Sequence, residues 1–304
     1  MDDYIQIKHS QIDFYHKIPL FHKTEENEYL LYKEKGEPIA ESRVKTHTHP
    51  PLFILTNDKR AAAKELQEAL NIDLAREIAS KGMKTVKVIL GRIVKEALED
   101  PCPATLDALP ETIEIFFAGY AKNSELLKAM AIVASGSSLI VDHTVNVLAI
   151  TMRFCFCDQL GEDRSKKIGL AALLHDIGTS EISKTILEAQ RKLTDAEFDT
   201  YKTHPLKGYE IITGCGTFDP MAAEVALEHH ERIDGSGYPM SATNLSFESQ
   251  LIGLINSYEP LTYRDKDFRK ARSPFDSLQL IKQEVLGGKF DKRIFRDLCS
   301  CMTS

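Results

Sequence analysis

Ten histidines are spread over the 304 residues, and five of them (His143, His175, His204, His229 and His230) share the C-terminal half with Asp176, which directly follows His175. Imidazole nitrogens and carboxylate oxygens are ligands for transition metals, and a set without a thiolate points by softness to iron or manganese rather than to a structural zinc. Context strengthens the reading. His143 lies within Leu139-Ile140-Val141-Asp142-His143-Thr144-Val145, and His175-Asp176 comes straight after Leu170-Ala171-Ala172-Leu173-Leu174. Imidazoles and a carboxylate on helices that face a core are costly to bury unless they are paired or metal-bound. Neighbouring residues on a helix point about 100° apart, which lets Asp176 bridge two ions while His175 reaches one; the His229-His230 doublet offers the same division. Two ions roughly 3.5–4 Å apart clamp a phosphoryl group and lower the pKa of a bridging water. That is the chemistry of phosphate-ester hydrolysis.

Such a cluster needs rigid elements to hold it, and the apolar periodicity predicts helices. From about Ser137 onward, Val145–Phe154, Ile168–Leu174 and Ala222–Leu227 follow a spacing near 3.6. An all-helical domain over 137–304 is expected, its tail from Arg272 to Leu298 forming two amphipathic helices about a Gly287-Gly288 break. Upstream, Leu66, Leu70, Leu74 and Ile78 mark one face of a helix capped at Asn57 or Asp58 and stopped by Gly82. Val86, Ile89, Ile93 and Ala97 mark a second helix that ends at Pro101-Cys102-Pro103, and further helical segments run from Thr105 to Ser135. Residues 57–136 therefore read as a helical connector. Residues 1–56 differ: Tyr4–Ile7, Tyr29–Tyr32 and Pro51–Leu55 are short β-forming runs, which predict a small strand-containing N-terminal domain, β or α/β, in a regulatory role. The fold class is mainly α.

Charge narrows the partners. A formal net charge of −7 and no long Lys/Arg run argue against polymeric nucleic acid, whereas a small anion is compatible because a metal brings its own positive charge. The chain opens Met-Asp-Asp-Tyr without the apolar stretch of a secretory signal. The apolar stretch from Leu126 to Val141 is broken by Lys128 and by Ser135-Gly136-Ser137-Ser138, short of a membrane span. A cytoplasmic protein is expected. Six cysteines with no C-x-x-C read as reduced structural thiols, and His47 and His49 as solvated loop residues.

Four segments in order, Asp-His143-Thr-Val-Asn-Val, Leu-Leu-His175-Asp176-Ile-Gly, His204-Pro-Leu-Lys-Gly and His229-His230-Glu-Arg-Ile-Asp-Gly-Ser-Gly-Tyr238-Pro239, make residues 137 to 285 resemble the HD-GYP phosphodiesterases, a branch of the HD-domain metal hydrolases. The resemblance implies a helical HD-GYP domain and cyclic di-GMP as the substrate class. It also implies His143, His175, Asp176, His204, His229 and His230 as metal ligands, with Asp176 bridging, and Tyr238 on the substrate side of a turn that Gly235 and Gly237 permit. The chain also departs from the family pattern. The family's lysine three residues after the HD aspartate is Thr179, and its late aspartate ligand is Asn256, which offers an amide oxygen without charge. Glu259, on the same helical face, is read either as a substitute ligand or as a surface carboxylate. Leu139 stands where some members carry a glutamate for a third ion, so two ions are expected. In the altered basic segment Arg264–Lys270, Lys266 and Arg269 are the candidates for guanine or phosphate contact.

The resemblance therefore predicts a phosphodiesterase that hydrolyses cyclic di-GMP by attack of a hydroxide bridging two ions, iron first and manganese second, with weakened activity. The alternative is a catalytically impaired sensor that binds metal and cyclic dinucleotide and signals to protein partners. Hydrolysis of a different phosphate ester is a third reading, disfavoured by the Gly-Tyr-Pro loop.

Overall fold

The computed structural model describes residues 3–37, 39, 49–80, 83–121, 139–263 and 270–303. The chain forms two compact units, Met1–Asp73 with Pro103–Ala108, and Leu74–Cys102 with Leu109–Ser304.

The first unit carries an antiparallel sheet of β1 (Tyr4–Gln6), β2 (Leu20–Lys23), β3 (Tyr29–Lys33) and β4 (Leu52–Leu55), in the order β1-β4-β2-β3. The strand β2 is absent from the sequence reading, because Leu-Phe-His-Lys is too short for an alternation to stand out. Leu20, Leu52 and Ile54 are buried, while Tyr4 stacks on Tyr29 at 4.0 Å with Phe21 and Phe53 edge-on to them. Lys33 is buried and donates to the carbonyls of His16, Ile18 and Glu34; one carboxylate oxygen of Glu65 accepts from the backbone N–H groups of His16 and Lys17. The backbone entering the sheet is thereby held from both sides. His49 is not simply solvated, since its Nδ1 pairs with the Tyr32 hydroxyl at 2.9 Å; His47 lies outside the described residues. Asn57 and Asp58 form a 3-10 turn (Thr56–Asp58) before α1 (Lys59–Ser80), on which Leu66, Leu70 and Leu74 are buried.

α3 (Pro103–Leu106) is also in the first unit; the second holds α2 (Met83–Glu99), α4 (Leu109–Ala121), α5 (Leu139–Cys157), α6 (Glu162–Leu174), α7 (Lys184–Leu187), α8 (Asp195–Tyr201), α9 (His204–Cys215), α10 (Pro220–Glu228), α11 (Phe247–Tyr263), α12 (Pro274–Leu286) and α13 (Lys292–Thr303). The helix expected up to Ser135 is described to Ala121. The core forms around α5, which packs on α2, α6 and α11, while α10 lies against α6 and α9. Ala171 and Ala172 on α6 and Ala222, Ala223 and Ala226 on α10 are buried, and such small side chains let helix backbones approach closely. Within α5, Ile140–Cys157 is long and apolar enough to cross a membrane, but most of it is buried inside the protein. α5 ends where Gln159 turns left-handed (φ 53°) and the Leu160 N–H reaches back to the Cys155 carbonyl.

Candidate metal centre

Three of the five histidines stand where a helix has just ended. His175 follows α6, His229 follows α10, and His204 comes three residues after the last residue of α8. The final carbonyls of a helix have no intrahelical donor, and each ring supplies one. Nδ1 of His175 meets the Ala172 carbonyl at 2.8 Å, Nδ1 of His204 that of Tyr201 at 2.7 Å, and Nδ1 of His229 that of Ala226 at 2.9 Å. A carbonyl only accepts, so Nδ1 carries the proton and Nε2 presents a lone pair.

Those lone pairs converge on Asp176, which sits in the bend after α6. Oδ1 of Asp176 is 3.2 Å from His204 Nε2 and 3.5 Å from His229 Nε2; Oδ2 is 3.2 Å from His175 Nε2 and 3.5 Å from His143 Nε2. The Nε2 atoms of His204 and His229 face each other at 3.2 Å. His175 Nε2, His230 Nε2 and Asp176 Oδ1 are buried without a hydrogen-bond partner among the described residues. Buried acceptors aimed at one another are unfavourable unless something positive stands between them. The C-termini of α6 and α10, negative ends of their dipoles, add to that preference. This donor set fits metal ions. Two groups have the necessary proximity, Asp176 with His204, His229 and His230, and His143 with His175 and Asp176, and Asp176 belongs to both. His229 and His230 fall in the same group rather than being divided.

His143 is held differently. It lies in the first turns of α5 rather than at a helix end, with Nδ1 2.6 Å from Glu259 Oε2 and Nε2 2.7 Å from Asn256 Oδ1. Glu259 also accepts from Asn146, whose own amide oxygen accepts from the buried Lys87 ammonium at 2.6 Å. Glu259 is therefore not a surface carboxylate: it is 2% exposed and orients the His143 ring, as carboxylates commonly do for metal-binding histidines. Lys87 and Asn146 escaped the sequence reading, the one because a lysine in Val86-Lys87-Val88-Ile89 reads as solvated, the other because nothing local marks Asn146 as a partner of Glu259. Burial opposes charge on His143, but the Glu259 carboxylate, aided by Asp176, outweighs it and raises the ring to about 9. Burial lowers His229 to about 4 and His230 well below the usual range, in each case helped by neighbouring histidine charge. Asp176 titrates well below an ordinary aspartate: burial resists ionisation, and the surrounding histidines, His175 foremost, overcome it.

The Gly-Tyr-Pro loop is pinned from beneath by Glu231, another residue the sequence did not single out. Its buried carboxylate accepts from the N–H groups of Met240 at 2.6 Å and Ala242 at 3.0 Å. Gly235 is left-handed (φ +79°), and a Cβ on Gly237 would lie 2.4 Å from the Glu231 backbone, so the turn closes only with glycine there. The Tyr238 ring stacks on His230 with centroids 4.6 Å apart. Thr179, expected on the substrate side at the position of the family's lysine, is 1% exposed, and its hydroxyl donates to the Asp176 carbonyl at 2.7 Å, closing the turn after the aspartate. Lys266 and Arg269 lie outside the described residues. Above the cluster opens a cavity of about 560 Å³ with His143, Asp176, His230 and Asn256 in its lining, a size suited to a small-molecule ligand.

A helical unit whose helix ends gather histidines around a shared aspartate defines the class, and sequence comparison agrees: a family model described as HD domain matches residues 128–294. The chain belongs to the HD-domain family, which is metal-dependent, and within it resembles the HD-GYP proteins as a divergent member. A cyclic di-GMP phosphodiesterase of Pseudomonas aeruginosa is 31% identical over 51% of this chain and 37% of that protein. A cyclic di-GMP phosphodiesterase response regulator of Xanthomonas campestris is 32% identical over 45% and 36%, and a 3'3'-cGAMP-specific phosphodiesterase of Vibrio cholerae 26% identical over 54% and 38%. The chain thus spans about two fifths of the length of these relatives. A solved HDG"Y"P protein from Bdellovibrio bacteriovorus shares the fold, with a TM-score of 0.66 at 17% identity over 99% of this chain and all of the other.

Proposed function

We propose that this protein is a two-metal phosphodiesterase of cyclic di-GMP whose activity is weak. The observation that carries the reading is the set of bare Nε2 atoms around Asp176, each tautomer fixed by a backbone carbonyl. His175 and His143 with Asp176 would hold one ion, and His204, His229 and His230 with Asp176 the other; iron suits these ligands first and manganese second. When bound, the pair supplies Lewis acidity toward the phosphoryl oxygens and an acidified water. The histidines hold position rather than transfer protons. Asp176, bridging the two groups, fixes their separation, and Glu259 keeps His143 aimed. The relatives whose names specify cyclic di-GMP or cGAMP support a cyclic dinucleotide as substrate.

Weak activity follows from two positions. Thr179 turns its hydroxyl to the backbone and offers no cation to the scissile phosphate, and Asn256 brings no charge beside His143. Such electrostatic contacts act on the charge that develops in the transition state. The same two positions favour a second reading, a cyclic dinucleotide sensor without turnover. One experiment separates the two: cyclic di-GMP binding and hydrolysis measured on a single iron- or manganese-loaded preparation. Turnover that disappears in Asp176→Ala supports the enzyme. Tight binding with no turnover supports the sensor, and neither binding nor turnover rejects both.

A further inference from the structure

We propose that Lys192 contacts the phosphate of the ligand and that Phe198, on the same wall of the cavity, is a shelf for a nucleobase. The proposal rests on the cyclic dinucleotide reading above and deepens it.

Besides the His143 ring, Arg191 and Lys192 are the cationic side chains that line the cavity among the described residues, and they are not equivalent. Arg191 is engaged: its two terminal nitrogens each donate to a different Glu197 oxygen at 2.7 Å, and one donates also to the Lys192 carbonyl. Fork-to-fork pairing of this kind satisfies the guanidinium and cancels its charge. The Lys192 ammonium is exposed and has no hydrogen bond or ion pair among the described residues. Asp176, Asp195 and Glu259 also line the cavity and offset its positive groups. Lys192, exposed and among the residues lining the cavity, is the feature that suits a phosphate that would reach the metal site. It stands on the segment between α7 and α8, and so replaces by a different route the cation that Thr179 lacks.

Phe198 is 44% exposed although it lines a cavity rather than a flat surface. Its ring meets Tyr238 edge-on at 6.2 Å and lies near-parallel to Tyr201 at 6.4 Å, which continues the Tyr238–His230 stack as a line of aromatic faces. The Lys202 ammonium lies 5.2 Å from the centroid of the Phe198 ring, and an exposed aromatic ring held in place by its neighbours is the usual platform for a base, because every base presents a π-face. Phosphate and base are thus provided for on one wall, a few residues apart.

The test uses the metal-loaded full chain, with calorimetric titration of cyclic di-GMP and competition by inorganic phosphate. Lys192→Met is expected to weaken both by about tenfold, with unchanged metal content and with rescue by Lys192→Arg. Phe198→Ala is expected to weaken cyclic di-GMP by a similar factor and leave phosphate unchanged. Arg191→Met, the control, stays within about twofold of wild type on the same pairing argument. Wild-type affinity for cyclic di-GMP in Lys192→Met or in Phe198→Ala overturns the proposal while the dinucleotide reading stands. Loss of dinucleotide affinity in Lys192→Met without loss of phosphate affinity overturns the phosphate role. A fully metallated wild type that does not bind cyclic di-GMP rejects the parent reading and this proposal together.

Discussion

A carbonyl oxygen three residues back decides what His175, His204 and His229 can do, since it takes the proton of Nδ1 and leaves Nε2 bare. With metal removed, the protonation of this cluster governs stability in both directions. His229 titrates near 4 in the fold against 6.5 in the unfolded chain. Its contribution is complete above pH 6.5 and lost as pH falls toward 4. His143, raised to about 9, acts oppositely: its contribution is complete below pH 6.5 and lost as pH rises through 9. Urea denaturation of the stripped protein should therefore show greatest stability near pH 6.5, and His143→Ala should flatten the alkaline decline alone. Glu259→Ala, which leaves the buried Lys87–Asn146 pair without its carboxylate, should cost roughly 3 kcal/mol in the same assay. His143 was legible because it interrupts an apolar helical run and His175-Asp176 because the pair directly follows one, although both stand past the end of α6 rather than on one helix. Glu259 was half-legible, on the right face but with its contact 116 residues away, and Lys87 was not, because only the fold brings it to Asn146 across 59 residues.

The helices were legible from periodicity because each buries one continuous face, as Val86, Ile89, Ile93 and Ala97 do on α2. β2 was not, and neither was the support of the Gly-Tyr-Pro loop, since a glutamate in a polar motif gives no sign that its carboxylate faces inward. Removing that support is a test at this scale. Glu231→Ala should raise amide hydrogen exchange across residues 238–242, while α10 keeps its protection; the loss of two charge-assisted bonds corresponds to about 2–3 kcal/mol. Unchanged exchange would mean that the glycines and Pro239 hold the loop unaided. Gly178 marks another tight junction. A Cβ there would sit 2.0 Å from the His204 carbonyl oxygen, so Gly178→Ala should push α9 and His204 away from Asp176, read as metal affinity lost with little change in helix content by circular dichroism.

At the scale of the molecule, the metal-site unit and the small sheet-bearing unit are each compact, and the chain spans about two fifths of the length of its phosphodiesterase relatives. The sequence expectation of a helical C-terminal domain and a strand-containing N-terminus matches the architecture of the described residues. Of the stretch expected as a connector, residues 57–73 and 103–108 fall in the sheet-bearing unit and residues 74–102 and 109–121 in the metal-site unit. Ions that bind only the folded state raise its stability by about 4 kcal/mol at a free concentration a thousand times Kd, so loading with iron or manganese should raise the melting temperature of wild type and not of Asp176→Ala. The most direct measurement is metal content by elemental analysis of the purified full chain beside Asp176→Ala. Two ions per chain, nearly all lost in the variant, is the predicted result. Less than one ion per chain in wild type, with no further loss when Asp176 is removed, would contradict the account.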